Sequence, residues 1–188
     1  MRNLSFLAVL MVFITSCITV QFTQPQPEGK PALTSFPEEF RGTYLMTEPG
    51  DCSNTDSLVI FAEGFLSISQ TGDSVSPPTF ERQKSFLSDS LVLKFYKGEY
   101  YLNVLDKEEK TYSVLLLKKE RNGDCVVWMI NAEKEIETLR RFTSDIEEVV
   151  NTEGKTDYYI ANPSAKELSR FVESGGFQGL LYRLQRAD

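Results

Sequence analysis

Between Asp89 and Ile130 short runs rich in Leu, Val, Phe and Tyr are divided by charged or glycine-bearing turns, and this limits the chain to short strands over that stretch. Leu91, Leu93 and Phe95 fall on one face, while Val92, Lys94 and Tyr96 fall on the other. Lys97-Gly98 follows as a turn, with glycine supplying the positive φ that tight hairpins need. Tyr100, Leu102 and Val104 then alternate with Tyr101, Asn103 and Leu105. A charged turn, Asp106 to Lys110, leads to a strand from Thr111 to Lys118 with Tyr112, Val114 and Leu116 on one side. After a turn from Lys119 to Asp124, Cys125 to Ile130 forms the next strand. Short strands separated in this way make an antiparallel meander.

The same pattern occurs earlier. Asp56-Ser57-Leu58-Val59 returns as Asp89-Ser90-Leu91-Val92, and a glycine follows each at nearly the same distance, Gly64 in the first copy and Gly98 in the second. Two copies of one hairpin would explain this, with chance likeness between two amphipathic hairpins as the alternative. Gly42-Thr43-Tyr44, near the start of the expected domain, resembles the opening strand of small lipocalin-like barrels. Residues 70–84, with Pro77-Pro78, read as a long loop between the halves.

Beyond Asn131 the spacing changes. Ile136, Leu139 and Phe142, then Ile146, Val149 and Val150, recur at three and four residues, predicting helical turns broken near Thr143-Ser144. Thr156 to Ala161 is a short strand. Ser164 and Glu167 form a capping box for a helix whose face carries Ala165, Leu168, Phe171 and Val172 and which ends at Gly175-Gly176. Phe177 to Gln185 is a closing strand, and strand, helix and strand could build a right-handed crossover. The fold class expected is α+β: mainly an antiparallel β meander, as a small barrel or sandwich, with the C-terminal helix packed on it.

The N-terminus fixes location. Arg2 precedes the apolar run Leu4 to Ile14, which ends at Thr15-Ser16-Cys17. This is the layout of a secretory signal, and it is shorter than the roughly 20 residues that span a bilayer. Ile14-Thr15-Ser16-Cys17 resembles the lipobox of bacterial lipoproteins, with an ordinary signal peptide and a chance thiol as the alternative. The resemblance implies removal of residues 1–16 and attachment of acyl chains, palmitate among them, at Cys17. Ile18 stands where an Asp would hold an enteric-type lipoprotein in the inner membrane, so the resemblance implies the outer membrane, and its periplasmic face because no acidic run of the kind some bacteria use for surface export follows Cys17. Residues 17–37 contain four of the eight prolines and read as a lipid-anchored tether, leaving 38–188 as a single globular domain.

Composition narrows the chemistry. Removal of a signal with one base and no acid takes the net charge from −7 to −8, which argues against nucleic acid as a partner. Histidine is absent, which removes Ser-His-Asp and Cys-His activation in their usual form and every histidine metal site. Cys52 and Cys125, each ending a Gly-Asp-Cys tripeptide, are expected to form a disulfide in an oxidising compartment. Two separate buried thiols are the alternative. Phe95, Tyr96, Tyr100, Tyr101, Tyr112 and Trp128 could line a ligand cup, although core and cross-strand positions suit them better. Glu38-Glu39 and Glu147-Glu148 could do acid–base work on a glycan, but nothing in the spacing sets two carboxylates across a cleft. Asp51, Asn54, Asp56 and Asp73 lack the spacing of a calcium loop. No cofactor, metal or catalytic residue is assigned.

The chain as a whole resembles the small acidic lipoproteins of Gram-negative envelopes, which implies a non-catalytic binding or interaction module. Its partners would be the membrane, through the lipid, and an envelope protein or a small apolar ligand. A lipocalin-like carrier and a carboxylate-dependent hydrolase are the other two readings.

Overall fold

The computed structural model describes residues 18–71 and 79–187, the side chains of 51–55, 70 and 71 excepted. Twelve strands among them join in one sheet. They are β1 (Thr19–Phe22), β2 (Gly42–Glu48), β3 (Asp51–Phe61), β4 (Gly64–Thr71), β5 (Thr79–Phe86), β6 (Leu91–Tyr96), β7 (Glu99–Asp106), β8 (Thr111–Lys119), β9 (Cys125–Met129), β10 (Ile146–Val150), β11 (Thr156–Ala161) and β12 (Gly179–Arg186). Two α-helices, α1 (Ala132–Leu139) and α2 (Ala165–Glu173), and one short 3-10 turn, Glu38–Phe40, complete the described elements.

Strand β8 is where the sheet divides. One edge pairs with β7 along its whole length, from Tyr100↔Leu117 to Asp106↔Thr111. The other edge is shared: Tyr112 and Ser113 pair with β1, whereas Leu116 to Lys119 pair with β9. From β1 the sheet continues through β11 to β10, and from β9 through β12, β2, β3 and β4 to β5. All pairings are antiparallel except β1 with β11, where Thr19 lies beside Tyr158, so the sheet is mixed.

The two faces of the centre pack against different material. On one side Tyr101, Val114 and Leu116 meet Ile136 and Leu139 of α1 and Leu168 and Phe171 of α2, so the helices cover this face of β8. On the other side the sheet curls, bringing Leu91 and Leu93 of β6 into one core with Tyr44 of β2, Ile60 of β3 and Leu184 of β12. Each such side chain contributes roughly 1.5–3 kcal/mol by leaving water. The curl stays open and is not a barrel: among the described strands β6 pairs with β7 alone.

The duplicated hairpin is present at both sites, and the two copies supply opposing walls of this second core, through Leu58 and Ile60 and through Leu91 and Leu93. The matching glycines do different work. Lys97 and Gly98 form a two-residue turn with φ of 52° and 87°, a conformation glycine adopts without penalty. Gly64 instead lies beside β5, where a Cβ would stand 2.0 Å from the Ser85 carbonyl oxygen.

Residues 18–37 are not a tether. Val20 and Phe22 of β1 are buried in the helix-side core, and Phe36 is buried in the other. The proline-rich piece between them is strapped across β6 and β7. Asn103 accepts the Gln26 N–H at 2.6 Å and donates to the Gln26 carbonyl at 2.8 Å. Lys94 Nζ donates to the carbonyls of Pro25 and Pro27 at 2.7 and 3.1 Å. Ala32 then bridges to Lys94 along the outer edge of β6, which shields that edge from stray pairing. The prolines suit a strap because it needs no ladder of its own.

Three other expectations are corrected. Residues 79–84, the later part of the 70–84 stretch read as a long loop, lie on β5, which pairs with β4 from Gly64↔Phe86 to Thr71↔Thr79. Ile146, Val149 and Val150 lie on strand β10, and a register shift between Val149 and Val150 breaks the alternation so that their spacing imitates a helix. No parallel crossover joins β11 to β12, because β1 and β9 both run against β8, β11 runs with β1 and β12 runs against β9, which leaves β11 and β12 antiparallel. The capping box on α2 is formed as read, with Ser164 and Glu167 each bonded to the other's backbone N–H.

Candidate functional site

Cys17, the expected lipid attachment residue, lies outside the described residues, as do residues 1–16 of the signal. The chain resumes at Ile18, whose carbonyl accepts the Ala132 N–H at 3.3 Å, and β1 begins at the next residue. Only one residue therefore separates position 17 from a strand in the middle of the sheet.

The expected bridge between Cys52 and Cys125 is not formed at Cys125, which is a buried free thiol. Cys52 lies on β3, its side chain outside the described residues. Strands β12 and β2 stand between β9 and β3. Three strand spacings come to about 14 Å, about twice the Cα separation that a disulfide spans. Burial pushes the Cys125 thiol up to about 12, with Lys119 acting weakly in the opposite direction.

The aromatic set is divided between the cores rather than gathered around a cup. Tyr96, Tyr101, Tyr112 and Trp128 join the helix-side core and Tyr100 the other, while Phe95 is largely exposed. Phe36, Phe40, Tyr44 and Leu93, each no more than 1 % exposed, occupy the inside of the curl where a carrier would hold its ligand. Glu147 and Glu148 are neighbours on β10 and so point to opposite faces, and Glu148 accepts the Thr156 hydroxyl. Glu39 lies with Tyr100, Glu99 and Lys118 along a shallow cleft of about 300 Å³. Burial there, with the Glu39 carboxylate beside it, raises the Tyr100 phenol. Asp56 lies opposite Met46 on β2. Among the described residues no three metal-ligating side chains come together; Asp73 and the side chains of Asp51 and Asn54 lie outside them.

The described surface with the most unspent chemistry is the outer face of β2 to β5. Register and alternation put Leu45, Val59, Phe61, Leu66, Ile68, Phe80 and Phe86 on that face. None of these residues packs into either core. Leu45, Phe80 and Phe86 are 46 %, 58 % and 50 % exposed. Arg82 and Lys84 share the face, and neither joins an ion pair among the described residues. The Lys84 ammonium stands 4.9 Å from the ring centres of both Phe61 and Phe86, which meet edge to face at 5.8 Å. Glu81 is turned to the opposite face by the same alternation.

No family model, curated protein or solved structure matches the chain. Any functional conclusion therefore rests on the chain's own residues. The sequence reading missed Phe80, Arg82 and Lys84 because it took 70–84 as loop, and it placed Phe86 in no element. A signal was present in Phe-x-Arg-x-Lys-x-Phe, a period of two with no buried partner to give it weight.

Proposed function

We propose that this chain is a lipid-anchored protein of the bacterial envelope that acts as a non-catalytic binding module at the periplasmic face of the outer membrane. The observation that carries the anchor is Ile14-Thr15-Ser16-Cys17 at the end of an apolar run too short to span a bilayer. Support for binding comes from the outer face of β2 to β5, where large apolar side chains and two cations stand in solvent. The two halves are independent: the lipid places the molecule, and the face gives it something to hold.

Growth of cells with a clickable fatty acid tests the anchor. The protein should carry the label and Cys17→Ala should lose it, with the mass of the native product placing its first residue at Cys17. An unlabelled product that retains Met1 would remove both the anchor and the location.

A further inference from the structure

We propose that β5 is a docking strand, and that its occupant is an extended acidic segment of a partner protein, added to the sheet edge as one more strand. This rests on the reading of the chain as a binding module but not on its lipid. Strand β5 is last in the sheet order and pairs only with β4 among the described residues. In such a strand every second residue turns its N–H and C=O away from its neighbour, leaving a row of donors and acceptors for another chain. Seven of its eight residues are exposed, so a newcomer needs to displace little.

The side chains define what kind of strand fits. Phe80, Arg82, Lys84 and Phe86 project in turn from one face, two cations between two rings. A strand laid alongside puts alternate side chains opposite these four, so carboxylates at the two middle positions and apolar groups at the outer two would be matched. The protein as a whole carries −7, so a local cationic face is set apart from its surroundings.

A second copy is a poor occupant. Antiparallel self-pairing that keeps the two faces continuous sets Arg82 against Lys84, or either residue against itself, in each central register. Like charges directly opposite destabilise a strand pair. The cations thus bar the chain from pairing with itself while inviting an acidic strand.

Fluorescence anisotropy on the purified native protein in detergent tests this. The probe is a labelled nonapeptide, Thr-Val-Thr-Glu-Thr-Glu-Thr-Val-Thr, with controls in which Lys replaces Glu or alternate amides are N-methylated. The Glu peptide should bind at least tenfold more tightly than either control. The pair R82E and K84E together should reverse the preference toward the Lys peptide, a gain that an unfolded variant could not show. Equal binding of all three peptides, no binding of any, or an unchanged preference in the double variant would overturn the proposal. So would recruitment of the protein to phosphatidylglycerol vesicles through the same two cations without peptide binding, since the face would then be a lipid contact. If envelope partners are retained by the double variant as by the native protein, the binding module stands and this site falls; if no partner is retained by either, both fall.

Discussion

Cys125 is 1 % exposed on β9, and its neighbours explain the height of its thiol pKa better than any catalytic purpose would. The thiolate would have to form inside the core that holds Tyr44 and Leu184, where water cannot solvate it. A thiol that ionises near 9.0 when unfolded and at about 12 when folded stabilises the fold fully below pH 9. That contribution is lost as pH rises through 12, because only the unfolded state releases the proton in between. At 1.36 kcal/mol per unit it amounts to roughly 4 kcal/mol. Burial raises the Tyr182 phenol, adding to the same alkaline slope. The difference between the native protein and Cys125→Ala isolates the thiol. Denaturant midpoints measured from pH 8 to pH 11 should fall more steeply for the native protein. A thiol reagent at pH 8 should label Cys125 only after denaturant is added.

At the scale of elements, the strap from Gln24 to Pro31 depends on two polar side chains that the strands beneath it provide. Asn103 is fully buried and matches both backbone groups of Gln26. Replacing it with Ala should leave that N–H and C=O without partners, at about 1–3 kcal/mol for each group. We expect a lower denaturant midpoint and new protease cleavage near Gln26, read by mass spectrometry, with β2 to β5 still resistant. Strands β6 to β9 were legible in the sequence because each has a buried face to set its period. Helix α2 was legible because Ser164 and Glu167 announce its start. The elements missed share the opposite property. Strand β5 has no buried face, β10 carries a bulge, and β1 is four residues whose partners lie far along the chain. Their conformation is set by pairing, which no local pattern records. The charged pair on β5 was hidden for the same reason.

For the molecule as a whole, a cut before Glu38 would have trimmed a passive tail under the tether reading. The structure makes it a core deletion, since Val20, Phe22 and Phe36 go with it. Three buried side chains of this size represent roughly 5–9 kcal/mol of burial, comparable to the stability of an ordinary domain. A product beginning at Glu38 should therefore lack a cooperative thermal transition, whereas one beginning at Ile18 should keep it; circular dichroism melts of the two distinguish the cases.

Strand β1 is among the earliest residues to be made, yet the partners that hold it, Ser113 on one side and Tyr158 to Ile160 on the other, come late. Until residue 160 has been synthesised β1 can be held on one edge alone, and closing so long a loop is slow. A chain wired in this order keeps its leading strand loose through most of its synthesis, and locks it only once the tail has arrived.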